Sequence, residues 1–181
     1  MYRKRGECVE DYELAKQASQ GNEDAFLTLM HLHKVALYRT ALSYLKNDSD
    51  AIEAVQEVTV RAFQTIHTLR KPEYAKTWLI RIMMNYCNDV LKMRRRMTLD
   101  GGVLVRTATN DDYTFLEVEE ALNRLSEEER NLIHLKYLHD IKLKDIAAMT
   151  STPESTVKTR LYKTVKKLRK LIEVKGGRSN A

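Results

Sequence analysis

The sequence predicts an all-α protein: two small helical domains, an N-terminal helical bundle and a C-terminal helix-turn-helix, joined by a flexible linker. Three observations carry that prediction. The 181 residues include only two prolines and six glycines, so little interrupts a helix. Apolar residues recur at helical intervals toward both ends of the chain. Between residues 98 and 114 that rhythm stops, and Gly101, Gly102, Thr107, Asn110 and similar turn formers take over. The expected boundaries are a first domain over 1–97, a tether over 98–114, a second domain over 115–175 and a disordered tail over 176–181.

From Glu10 onward the apolar positions Leu14, Ala18, Ala25, Leu29, Leu32, Ala36, Leu37, Thr40 and Ala41 keep helical spacing. Asn47-Asp48-Ser49-Asp50 reads as a turn, with Asp50 as N-cap of a helix from Ala51 to about Leu69. That helix is expected to bury Ile52, Val55, Ala62, Phe63, Ile66 and Leu69. Its acids and amide, Asp48, Asp50, Glu53, Gln56 and Glu57, gather at one end. They suit a basic protein partner, or else simply complement the helix dipole. Lys71-Pro72-Glu73 marks the next break.

A third long helix is expected from about Lys76 to Arg96, about 30 Å at helical rise. One face carries Leu79, Ile82, Met83, Tyr86, Val90 and Met93. The other carries Arg81, Asn85, Asn88, Asp89, Lys92, Arg95 and Arg96. Amides and carboxylates among cations suit exposed base edges and phosphates, and Tyr74 and Trp78 at its start offer rings for stacking, about 1–3 kcal/mol per base. Trp78 as core filler, and Asn85 with Asp89 as a local pair, remain open alternatives.

In the second domain Ser126 with Glu127, Glu128 and Glu129 forms a capping box. Its helix runs to about Tyr137, turning Leu132, Ile133, Leu135 and Tyr137 inward. A short helix, Leu143 to Met149, buries Ile146 and Ala147. A turn at Thr150-Ser151-Thr152 leads to a long helix opened by Pro153. Along it Val157, Leu161, Val165, Leu168 and Ile172 make one apolar stripe. Two helices across a tight turn, the second one basic, follow the plan that places a recognition helix in the major groove. Glu154, Ser155, Thr156, Lys158 and Thr159 then sit nearest the bases, and Arg160, Lys163, Lys166, Lys167 and Lys170 near phosphates. The competing reading is an amphipathic hairpin with a solvated lysine face. Thr150 and Ser155 occupy places where such motifs often have glycine.

Charge is distributed unevenly. Residues 1–97 carry 16 basic and 12 acidic side chains, 98–140 carry 4 and 10, and 141–181 carry 11 and 3. Two basic ends around an acidic middle point to two polyanion-facing modules. The longest stretch without a charge, Ala25 to His33, is far too short to span a bilayer, so no membrane insertion is expected. No signal-type apolar run follows the basic start, and Cys8 and Cys87 stand far apart, so a reducing cytoplasmic setting is expected. No metal site, cofactor or catalytic residue is expected. His31 and His33 point to different helix faces, His134 and His139 are poorly spaced, and no glycine-rich phosphate loop occurs.

The chain resembles the extracytoplasmic-function (ECF) sigma factors of RNA polymerase. The stretches that carry the likeness are Gln20-Gly21-Asn22-Glu23-Asp24-Ala25-Phe26, Asp50-Ala51 through Gln56-Glu57-Val58, Thr77-Trp78-Leu79-Ile80-Arg81-Ile82 with Asn85 and Asp89, and Thr156-Val157-Lys158-Thr159-Arg160-Leu161. The resemblance implies a non-enzymatic factor that binds core polymerase and promoter DNA, both as duplex and as opened strand. Asp50, Glu53, Gln56 and Glu57 match the patch that docks on core polymerase. Tyr74, Lys76, Trp78, Arg81, Asn85, Asn88, Asp89 and Lys92 fall where the near promoter element is read, with a base-flipping loop at about Arg70–Lys76. Glu154, Ser155, Thr156, Lys158, Thr159, Arg160 and Lys163 fall where the far element is read. The tether, with Asp100, Asp111 and Asp112, is expected to thread the polymerase, and an anti-sigma protein is a further partner the family implies. Ile52 replaces a usual acid, and Met83-Met84 replaces usual small residues. The alternative function is a stand-alone helix-turn-helix regulator, which leaves the first domain unexplained.

Overall fold

The computed structural model describes residues 5–99, Val118 and residues 120–176. Among them every regular element is helical. Contacts divide the chain into two units, Met1–Thr107 and Ala108–Ala181. Most of the expected tether, and the tail beyond Gly176, lie outside the described residues.

The first unit is built from α1 (Arg5–Ser19), α2 (Glu23–Leu45), α3 (Asp48–Thr65) and α4 (Ala75–Leu99). Two 3-10 turns, Ile66–Thr68 and Pro72–Tyr74, join α3 to α4. The break between α1 and α2 turns on Gly21, whose φ of +97° favours glycine. Asn22 Oδ1 then accepts from the Ala25 amide at 3.0 Å, opening α2. That helix is central and packs on α1, α3 and α4. Leu29, Leu37, Leu79, Ile80, Met83 and Met84 fill the interior. Asp11 of α1 meets His33 Nε2 of α2 at 2.6 Å, which pairs two polar groups the bundle has buried.

Three expectations need correction. Asn47, not Asp50, caps α3: its Oδ1 accepts from the Asp50 amide at 2.9 Å. The helix therefore starts at Asp48, whose carboxylate accepts a hydrogen bond from the Tyr38 hydroxyl. Second, α3 buries Ala51, Ala54, Val58 and Ala62, whereas Ile52 is 52% exposed and Phe63 47%. Small side chains let helices approach closely, so the alanine face turns inward and the bulky residues stay outside. Phe63 lies edge-on to Phe26, ring centroids 5.2 Å apart. Third, the inner face of α4 is Leu79, Ile80, Met83, Met84 and Cys87, while Met93 is exposed. Both members of the unusual Met83-Met84 pair are core residues.

The second unit contains a helical turn at 120–123, α5 (Glu127–Ile133), a π-helical turn His134–Leu138, α6 (Leu143–Thr150) and α7 (Glu154–Gly176). The capping box forms in full. Ser126 Oγ accepts from the Glu129 amide at 3.2 Å, and Glu129 Oε2 accepts from the Ser126 amide at 2.8 Å. Past Ile133 the wider turn changes the register, with the His139 amide donating to the His134 carbonyl. Leu135 stays inside, but Tyr137, expected inward, is 63% exposed. Ile146, Ala147, Val157 and Leu161 close the core beneath α6 and α7.

Candidate functional site

The turn between α6 and α7 is set by Ser151, at φ 50°, rather than by Thr150 or Ser155. The Ser151 and Thr152 amides both donate to the Ala147 carbonyl, the latter at 3.0 Å, closing the end of α6. Pro153 stands just before α7, and its carbonyl accepts from the Thr156 and Val157 amides. Two independent local devices thus fix where α7 begins.

On α7, Val157, Leu161 and Thr164 are buried, and Val165, Leu168 and Ile172 are half-buried, as the apolar stripe requires. The opposite face exposes Glu154, Ser155, Lys158, Thr159, Arg160 and Lys163, with Thr156 half-buried between them. Tyr162 was not singled out from sequence, yet it is 66% exposed and lies one turn from both Lys158 and Lys166. An aromatic ring off the apolar stripe and flanked by lysines was the available signal. Lys167, placed with the phosphate-facing residues by sequence, instead donates to Glu129 Oε2 at 2.6 Å, tying α7 to the capping box. That contact and the Ser126 amide hold the Glu129 carboxyl below the usual carboxylate range.

On α4 the structure brings Arg81, Asn85, Asp89 and Lys92 to the exposed side. Tyr74, Lys76 and Trp78 are half-buried around its start, so Trp78 is neither core filler nor a free ring. The Lys71 ammonium lies 5.9 Å from the Tyr74 ring centroid. Asn88 departs from the expected surface: it is 4% exposed and belongs to the inner side of the helix. It stands four residues beyond the buried Met84 and so shares the inner face of the helix with it.

The acidic end of α3 is likewise divided. Glu53, Gln56 and Glu57 are exposed, with Ile52 beside them. Asp50 is half-buried and pairs with Arg94 of α4 at 2.8 Å. Glu57 accepts from Arg61 Nε at 3.2 Å, and the same guanidinium lies 4.8 Å from the Tyr86 ring centroid on α4. Burial, together with the Glu53 and Glu57 carboxylates, raises the Tyr86 hydroxyl above its ordinary pKa. Arg61 and Arg94 were not singled out from sequence, because the Tyr86 ring and the Asp50 carboxylate they meet lie on another helix, and Tyr86 was placed only on the apolar stripe.

Among the described residues no group of three or more His, Cys, Asp or Glu gathers as a metal site. Cys87 is buried, and that burial pushes its thiol up to about 12, which keeps it protonated. No helix among them is long and apolar enough to cross a membrane.

Two family models match the chain in order: Sigma-70 region 2 over residues 29–97, and Sigma-70, region 4 over residues 115–168. RNA polymerase sigma factor SigV of Bacillus subtilis is 33% identical over 153 residues, spanning 83% of this chain and 92% of that protein. The chain belongs to the ECF sigma factors. A second relative, ECF RNA polymerase sigma factor SigW of the same organism, is 25% identical over 173 residues and spans 86% of this chain and 92% of that protein. Among solved structures, CnrH in complex with the cytosolic domain of CnrY matches with a TM-score of 0.67 at 26% identity, over 91% of this chain and 98% of that one. The sigma factor RpoE of Bartonella quintana, in complex with the anti-sigma factor NepR, shares the fold with a TM-score of 0.60 at 24% identity, over 82% and 97%.

As an ECF sigma factor, the chain binds core RNA polymerase and directs it to promoter DNA. The stand-alone regulator is not favoured, because the first unit also matches a sigma region. The family is not known as one of enzymes.

Proposed function

We propose that the two units divide promoter recognition between them, over boundaries of 1–97 and 115–175, with residues 98–114 as tether and 176–181 as tail. The first docks on core polymerase through the exposed part of α3, Glu53, Gln56 and Glu57, while Asp50, expected with them, is engaged by Arg94 of α4. It reads the near element as an opened strand through Arg81, Asn85, Asp89 and Lys92 of α4, with Tyr74, Lys76 and Trp78 beside them. The second reads the far element as duplex through Glu154, Ser155, Thr156, Lys158, Thr159, Arg160 and Lys163. The factor works in the cytoplasm as a non-enzymatic adaptor, and the phosphodiester chemistry stays with the polymerase.

One observation carries this reading. In both units a helix backed by core on one side shows a mixed cationic and hydrogen-bonding face on the other. On α7 such a face suits phosphates and base edges in the major groove. On α4, amide and carboxylate groups among cations suit bases already out of the stack. An anti-sigma protein is proposed as a further partner, given the complexes of the similar CnrH and RpoE.

The test is reconstitution. Core polymerase with the full chain is expected to give run-off transcripts from a promoter that core alone ignores, and unselective initiation overturns the proposal. Asn85→Ala is expected to spare core binding while reducing strand opening. Normal permanganate reactivity in that variant removes α4 from the near element.

A further inference from the structure

The α3 acids do not form one uniform surface. Asp50, Glu57 and Arg61 are spaced at seven and four residues and so share one flank of α3. That flank faces α4: Asp50 Oδ1 lies 2.8 Å from an Arg94 guanidinium nitrogen, and Arg61 covers Tyr86. Beyond Leu91 the residues of α4 from Lys92 to Met97 are all exposed, so this end of the helix runs past the core. With little apolar packing there, a charged contact carries proportionally more of the positioning.

We infer that Asp50 is a positioning residue, acting through Arg94 to fix the C-terminal half of α4 against the start of α3. This inference rests on the proposed reading of the near element by α4, and it goes further in moving Asp50 out of the docking patch. Arg94 is nine residues beyond Asn85, so the two side chains lie on opposite faces of the helix. The pair therefore holds α4 from behind while Asn85, Asp89 and Lys92 stay in front. Arg61 over Tyr86 is a second hold about two turns earlier, and two separated points resist rotation of the helix as one does not.

The test separates positioning from docking. Arg94→Gln and Asp50→Asn are each introduced into the full chain and assembled with core polymerase. Core affinity is measured by competition, and strand opening by permanganate reactivity at a promoter chosen with the unaltered factor. Both variants are expected to keep core affinity and to lose about two- to fivefold in opening rate, the span of a partly exposed ion pair. The reversed pair, Asp50→Arg with Arg94→Asp, is expected to recover most of that loss, which a general loss of packing does not. Asp50→Asn weakening core affinity while Arg94→Gln leaves opening intact overturns the inference and returns Asp50 to docking. Unaltered opening in both, with Asn85→Ala impaired, overturns the inference alone. Unaltered opening in Asn85→Ala as well removes the near-element reading and the inference with it.

Discussion

The helices α4 and α7 carry similar polar faces on very different supports. Behind α4 stand Leu79, Ile80, Met83, Met84 and Cys87, none more than 1% exposed, in a unit of four long helices. Behind α7 the deepest contacts are Val157, Leu161 and Thr164, and the stripe beyond them is only half-buried. The second unit makes up the difference with local devices: the capping box, the left-handed Ser151 and the Lys167–Glu129 pair. The face proposed to hold an opened strand is thus backed by a large core. The face proposed to meet intact duplex has a smaller core behind it, supplemented by caps and the Lys167–Glu129 pair.

The two units can be perturbed separately, and the greatest loss is expected at the proposed docking face of the first. Reversing the outward charge of α3 with Gln56→Lys and Glu57→Lys is expected to weaken core polymerase binding by about a hundredfold or more, since like charges across an interface cost several kcal/mol. Copurification measures this, and retained copurification removes the docking assignment. Met83→Ala empties a fully buried site and is expected to destabilise the first unit by about 2–5 kcal/mol. Calorimetry with two resolved transitions would show only one of them move. Lys158→Ala with Thr159→Ala is expected to cut use of the far element about tenfold, from lost contacts worth about 1–3 kcal/mol. Unchanged run-off from a cognate promoter rejects it.

Ser126→Ala removes one half of the capping box and is expected to cost the second unit about 1 kcal/mol. An equal loss in the first unit would contradict the contrast between a core-backed and a cap-backed helix. The smallest effect is that of pH. Glu129 has its carboxyl pKa lowered in the folded state, so its contribution is present at neutral pH and is lost as pH falls through that lowered value. Acid titration of Glu129→Gln is expected to show a shallower decline of second-unit stability below the ordinary carboxylate range. A curve parallel to that of the unaltered chain would rule the contribution out.

Local signals were legible in the residues themselves. Ser126 with Glu129, Pro72, the bounds of α6 and the stripe from Val157 to Leu161 all depend on neighbours within a turn or two, which spacing reveals. What escaped depends on geometry between helices. Ala51 and Ala54 carry little apolar weight, so periodicity favoured Ile52 and Phe63 beside the correctly placed Ala62, yet close helix packing prefers the small residues. The π turn after Ile133 has no strong sequence mark and displaced Tyr137. Asn88 reads as polar but lies on the inner side of α4. The Asp50–Arg94 contact joins residues 44 positions apart, beyond the reach of any local pattern. The surface residues of α7 and most of those on α4 were legible; how α3 divides its acids was not.

The burial of Cys87 has a practical corollary. With Cys8 replaced by serine, the chain would carry a single sulfhydryl sealed inside the first unit. Its rate of labelling by an alkylating reagent then becomes a clock for transient opening of that unit. The same clock can be read with polymerase bound and unbound, without attaching a dye to either surface.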